Sequence, residues 1–158
     1  MDTLLPLARR IAERLIARRE TIAVAKGSSG GLIAASLLAV PGASAYFLGG
    51  AVVYTTAARA GLLAISSAEM AGMRAATEPY AAMLAGSMRE RLGATWGLAE
   101  AGAAGPSGNR YGDPRRTFLL CSGWPHQSDT HAADRQRRPR IQHARVCGAC
   151  ACAAGRGD

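Results

Sequence analysis

The chain has 158 residues, enough for one domain with a real core, and only 5% aromatic residues, so alanine and aliphatic side chains must fill that core. The net charge of +8 is unevenly placed: residues 1–113 carry 11 Lys/Arg against 8 Asp/Glu, a net +3, and residues 114–158 carry 8 against 3, a net +5. The basic balance thus belongs mostly to the second segment, and without an aromatic or motif pattern it is weak evidence for nucleic-acid binding, so no nucleic-acid partner is expected.

Arg9, Arg10, Glu13 and Arg14 interrupt the N-terminus before any apolar run. No secretory leader is read, and a cytoplasmic chain is expected. No charged residue occurs between positions 27 and 58, a length that could cross a bilayer. Gly27–Gly31, Pro41-Gly42 and Gly49-Gly50 punctuate that run. Three short elements in a buried α/β core fit it better than a membrane span.

In chain order, Leu4, Leu7, Ala8, Ile11, Ala12, Leu15 and Ile16 recur at helical spacing and predict an amphipathic helix packed on a sheet. Thr21–Ala25 reads as a strand buried on both faces, as in a parallel sheet. The turn Lys26-Gly27-Ser28-Ser29-Gly30-Gly31 follows, then a helix over Gly30–Val40 ended by Pro41-Gly42. Ser44 is a candidate start for a short turn. Tyr46–Thr55 reads as a second strand, with a bulge or close approach at Gly49-Gly50. Ala57–Leu63 is a short helix carrying Arg59. Thr77-Glu78-Pro79 opens a helix to about Leu92, with threonine as cap and Tyr80, Met83, Leu84, Ser87 and Met88 towards the core. Ala94–Ala101 is a third strand, and it runs into the loop Gly102–Asn109.

The chemistry is expected where strands enter glycine turns. Glycine permits positive φ and close approach of backbone to a ligand. Ser28 and Ser29 allow two readings: capping and turn chemistry, or a nucleophile and ligand contact at a strand-to-helix turn. Lys26 reads as a solvated lysine or as an attractor of an anionic ligand. Two such turns at one sheet edge would face each other across a crevice, the usual ligand position in open α/β sheets.

The order of strand, small-residue turn, apolar helix, the run Pro41–Tyr54, the Thr-Glu-Pro cap and the loop Gly102–Gly108 resembles the C-terminal domain of the CinA family. The likeness covers roughly Leu4 to Asp113. It implies a three-layer α/β/α sandwich, here incomplete at its C-terminus. It also implies a nicotinamide-nucleotide amidohydrolase, which hydrolyses the carboxamide of nicotinamide mononucleotide to the acid and ammonia and so recycles the nucleotide. The implied partner is a nicotinamide nucleotide or a related small molecule. No cofactor and no metal is called for, and a homo-oligomer is compatible.

Carried over by position, the resemblance assigns catalysis to Ser28, Ser29, Tyr54 and Arg59, and ligand binding to Gly27, Gly30, Gly31, Gly102, Gly105, Ser107 and Gly108. Several positions depart from the family. Lys26 stands for a glutamate, Gly27 for the serine thought to act in catalysis, Ser28 and Ser29 for cysteine and threonine, Arg59 for a lysine and Ala101 for a threonine. Tyr54 is kept. Amide hydrolysis without a metal needs a nucleophile, a base and an oxyanion donor. Arg59 stays protonated and cannot replace a lysine base. Two classes follow: an amidohydrolase using Ser28 or Ser29, and a non-catalytic homologue that retains at most nucleotide binding.

Two regions are expected: a CinA-like domain over 1–113, and a basic Cys/Arg-rich tail over 114–158, frameshifted or disordered. The tail holds all 4 cysteines and all 3 histidines and shows no lasting period. GC-leaning codons read one base out of frame from Arg115 give strand, turn, strand and amphipathic helix, with an element like the family's last helix. A frameshift near Asp113 is the account this favours. His143, Cys147, Cys150 and Cys152 offer a rival zinc reading, but Cys152 lies too close to Cys150 for an ordinary second knuckle. A domain without two strands and its closing helix is expected to fold poorly or to need a partner.

Overall fold

The computed structural model describes residues 3–102 in full, and residue 103 and segments 117–123 and 141–142 as backbone. The elements are α1 (Leu5–Arg18), β1 (Ile22–Lys26), α2 (Leu32–Leu38), a 3-10 turn (Ala43–Ala45), β2 (Phe47–Val52), α3 (Thr56–Leu63), α4 (Glu78–Leu92), β3 (Trp96–Ala103), β4 (Thr117–Gly123) and β5 (Ile141–Gln142). They form one sheet in the order β2-β1-β3-β4-β5. β1 pairs parallel with β2 and β3, β4 pairs antiparallel with β3, and β5 pairs antiparallel with β4.

The alternation of β1 sets the layers. Ile22 and Val24 point into a core with Ala8, Ala12 and Leu15 of α1, Leu37 of α2 and Tyr46. Ala23 and Ala25 point into the opposite core, with Leu63 of α3 and Tyr80, Ala81, Leu84, Ala85 and Met88 of α4. Helices therefore cover both faces, as in a three-layer α/β/α sandwich, and every residue of β1 is buried, as expected for a central parallel strand.

Small residues set the spacing of the second core. Ala81 and Ala85 of α4 lie against a sheet face carrying Ala23, Ala25, Ala99 and Ala101. Gly97 completes the approach: a Cβ placed there would fall on the Ala85 carbonyl and come within 2.9 Å of Arg89 Cβ. Alanine and glycine are thus required for α4 to lie this close to β3.

Several boundaries differ from the sequence expectation. α2 begins at Leu32 rather than Gly30, because Gly30 (φ +60°) and Gly31 (φ +113°) take left-handed backbone that a helix excludes. The expected stripe of α1 is narrower: Ala8, Ala12 and Leu15 are buried, whereas Ile11 and Ile16 are 40% and 45% exposed. Thr77 occupies the N-cap of α4, yet its hydroxyl donates to the Arg74 carbonyl (2.7 Å) instead of capping the helix. Gly49 bears out the expected close approach, with Leu92 Cδ1 only 2.8 Å from where its Cβ would lie, whereas the register irregularity falls earlier, between Phe47 and Gly49. β4 covers the outer edge of β3 with Thr117–Gly123, a run to which the sequence reading assigns no strand. The 113/114 boundary, His143, Cys147, Cys150 and Cys152 lie outside the described residues.

Candidate functional site

Strand order places the site. The chain leaves β1 through α2 to β2 on one side and returns through α3 and α4 to β3 on the other. β1 and β3 thus flank a switch point, and ligands in such sheets bind beyond the carboxyl ends of strands at that point. β1 ends at Lys26, whose register partner on β3 is Glu100.

Both of these residues are only 2% exposed. The expectation of a solvated Lys26 is corrected: as the last residue of a central strand, it points between the sheet and the turn instead of outward. Its ammonium lies 4.0 Å from where a Cβ on Gly31 would sit. Burial pushes its pKa below the ordinary value, and the nearby Glu100 carboxylate partly opposes that shift.

Glu100 is the residue that sequence reasoning missed. Its carboxylate receives the first turn: Oε1 accepts the Ser28 hydroxyl and Oε2 accepts the Ser29 N–H (2.8 Å). The Glu100 backbone carbonyl accepts the Gly27 N–H (3.0 Å). The available signal was one carboxylate among the small and apolar residues Trp96-Gly97-Leu98-Ala99-Glu100-Ala101, two positions before the second glycine loop. Charged groups are rarely buried without a partner, so a lone one in a buried strand marks a polar contact.

The turn itself departs from its bland reading. Gly31, not Ser29, is the N-cap of α2, and no side chain caps that helix. The Ser29 hydroxyl is buried and has no hydrogen-bond partner among the described residues. Its carbonyl accepts the Leu32 N–H (3.2 Å). Ser28 is half-buried and held by the carboxylate.

The other expected site residues are less closely gathered. Val53 N–H donates to the Lys26 carbonyl (2.6 Å), so the exit from β2 adjoins the first turn. Tyr54 follows at that edge, but its side chain is 81% exposed. Thr55 caps α3 by accepting the Ala58 N–H (3.0 Å). Arg59, one turn into α3, is half-buried, and its Nε is among the buried polar atoms without a partner in the described residues. Gly102 lies on β3 two residues beyond Glu100, and Gly105, Ser107 and Gly108 lie outside the described residues. No group of three or more potential metal ligands occurs among the described residues, and no helix there is long and apolar enough to cross a membrane.

A three-layer sandwich with a glycine turn opening at the β1/β3 switch point defines an α/β domain of the competence/damage-inducible class of structures. Competence damage-inducible protein A from Klebsiella pneumoniae superposes with a TM-score of 0.72 at 26% identity, covering 77% of this chain and 75% of that one. A CinA-superfamily protein from Escherichia coli gives a TM-score of 0.71 at 29% identity, with coverage of 77% and 70%. The family model for the CinA C-terminal domain matches residues 4–153, and the chain belongs to that family. A CinA-like protein of Prochlorococcus marinus is 37% identical over 123 residues, which is 78% of this chain and 29% of that protein. One from Frankia casuarinae is 47% identical over 92 residues, 58% of this chain and 21% of that protein. The chain thus spans less than a third of the length of these two curated relatives.

Proposed function

We propose that this chain binds a nicotinamide nucleotide at the β1/β3 edge and hydrolyses its carboxamide, with Ser28 as nucleophile. The observation that carries the reading is the Ser28 hydroxyl, which is held by the buried Glu100 carboxylate at the switch point instead of turning freely in solvent. The turn has the required form: backbone N–H groups around Gly30 and Gly31 are suited to an oxyanion, and the glycines leave room for close approach. Gly102, two residues beyond Glu100 on β3, lies at the same edge of the sheet.

The test is ammonia release from nicotinamide mononucleotide by the purified chain. Release that disappears in Ser28→Ala and persists in Ser29→Ala supports the assignment. No release at any substrate concentration overturns it.

A second reading is favoured by two positions. Gly27 stands where the resemblance implies the catalytic serine, and Arg59 stands where it implies a lysine base. On that reading the chain is a non-catalytic homologue that binds the nucleotide without turning it over. A frameshift near Asp113 belongs with it, supported by the change of composition there. Titration calorimetry with nicotinamide mononucleotide separates binding without turnover from turnover. Sequencing the DNA across codons 111–116 tests the frame.

A further inference from the structure

We infer that Glu100, supplied from β3, is the general base of this site. Glu100 is the register partner of Lys26 on the adjacent parallel strand. Carboxylate and ammonium have, in effect, been arranged across a strand pair, both 2% exposed. The carboxylate uses one oxygen on the Ser28 hydroxyl and the other on the Ser29 N–H, which fixes its plane relative to the nucleophile. A base must lie within hydrogen-bond reach of the proton that it removes, and Glu100 does.

The inference rests on the amide-hydrolysis reading for its substrate but not for its chemistry. As Ser28 Oγ bonds to the carboxamide carbon, its proton passes to the Glu100 carboxylate and the carbonyl π pair moves onto oxygen. When the tetrahedral species collapses, the C–N bond breaks and the nitrogen takes the proton from Glu100, leaving as ammonia. Water then attacks the acyl-Ser28 ester, giving one proton to Glu100. That proton returns to Ser28 Oγ as the acid departs. The balance is one amide and one water to one acid and one ammonia. Ser28 and Glu100 are the catalytic residues in this scheme.

The test modifies Ser28 with a fluorophosphonate in the full chain across a pH series, reading the labelled peptide by mass spectrometry, with ammonia release followed in the same preparations. In the unaltered chain, Ser28 should be labelled. Glu100→Gln, which keeps the shape, should slow labelling by at least about 100-fold. The double variant Lys26→Glu with Glu100→Gln returns a carboxylate to β1 and should recover part of the rate. Equal labelling in Glu100→Gln, or no labelling of Ser28 in the unaltered chain, overturns the inference. Should Glu100→Gln lose its cooperative thermal transition, Glu100→Ala with added formate decides: labelling of Ser28 that formate restores supports the inference, and labelling that stays lost overturns it. Glu100-dependent labelling without ammonia release leaves this inference standing and removes the substrate reading. Ammonia release that survives Glu100→Gln unchanged does the reverse.

Discussion

The two ends of the β1–β3 pair are built differently. At the amino end the polar groups close on one another. Thr21 N–H donates to Thr95 Oγ1 (3.1 Å), Thr95 N–H donates to Thr21 Oγ1 (3.0 Å), and Trp96 Nε1–H donates to Glu20 Oε2 (2.8 Å). Five residues beyond Thr21 and Thr95 on the same strands, Lys26 and Glu100 are buried, the carboxylate is turned onto a glycine loop, and the Ser29 hydroxyl is left without a partner in the described residues. The first arrangement satisfies its groups and ties the strands together. The second keeps polar groups available at some cost in stability, as functional sites commonly do.

Substitutions can break or sharpen that contrast. The largest effect is expected near the closed end, where Gly97→Ala would drive a methyl group into the Ala85 carbonyl. Because the obstruction is backbone, the loss should reach about 3 kcal/mol. A thermal melt matching that of the unaltered chain would show that α4 does not lie as close as described. Next, Thr21→Val removes the acceptor for the Thr95 N–H and should cost about 1–2 kcal/mol in urea unfolding. Labelling of Ser28 should not change in this variant. If it does, the two ends are coupled and the contrast fails.

The open end should announce itself through pH. Lys26 has a folded pKa depressed below its ordinary 10.5, so over part of the range below 10.5 the unfolded chain binds more protons. Stability should rise with pH from the depressed folded value upward, and Lys26→Met should remove that part of the slope. Burial raises the pKa of Tyr46 above 10.0, so its opposing contribution begins only near that pH. Urea midpoints taken below it isolate Lys26. The smallest effect belongs to Ser29→Ala. Removing a buried hydroxyl that lacks a partner should leave stability unchanged or raise it by up to about 1 kcal/mol. A clear loss would mean that this hydroxyl has a partner after all.

Much of this architecture is legible in the residues. β1 reads as doubly buried because it has no polar alternation, and the punctuation by Gly30 and Pro41 brackets α2 even though two positive φ angles delay its start. The Thr-Glu-Pro signal places α4 at the right residue, although Thr77 itself turns back to Arg74. Local signals fail where the deciding contact is remote. Ser28 and Glu100 are 72 residues apart, and no spacing rule links them until β3 is known to lie beside β1 in parallel register. For the same reason Lys26 reads as a solvated turn residue. Its burial follows from which strands flank it, and periodicity carries no such information.

The alanine-lined face beneath α4 also shapes how this sequence can drift. In most cores, trimming a large side chain is the damaging change. Here Ala23, Ala25, Ala81, Ala85 and Ala99 are fully buried and have little left to trim. Growth is the hazard at these sites: each added methylene must push a helix away from a sheet. A saturation scan of these five positions should therefore tolerate glycine and serine better than valine or leucine. Neutral change in this half of the domain would then be confined to a narrow range of small side chains, while the face covered by α1, with Ile11 and Ile16 partly in solvent, stays freer to vary.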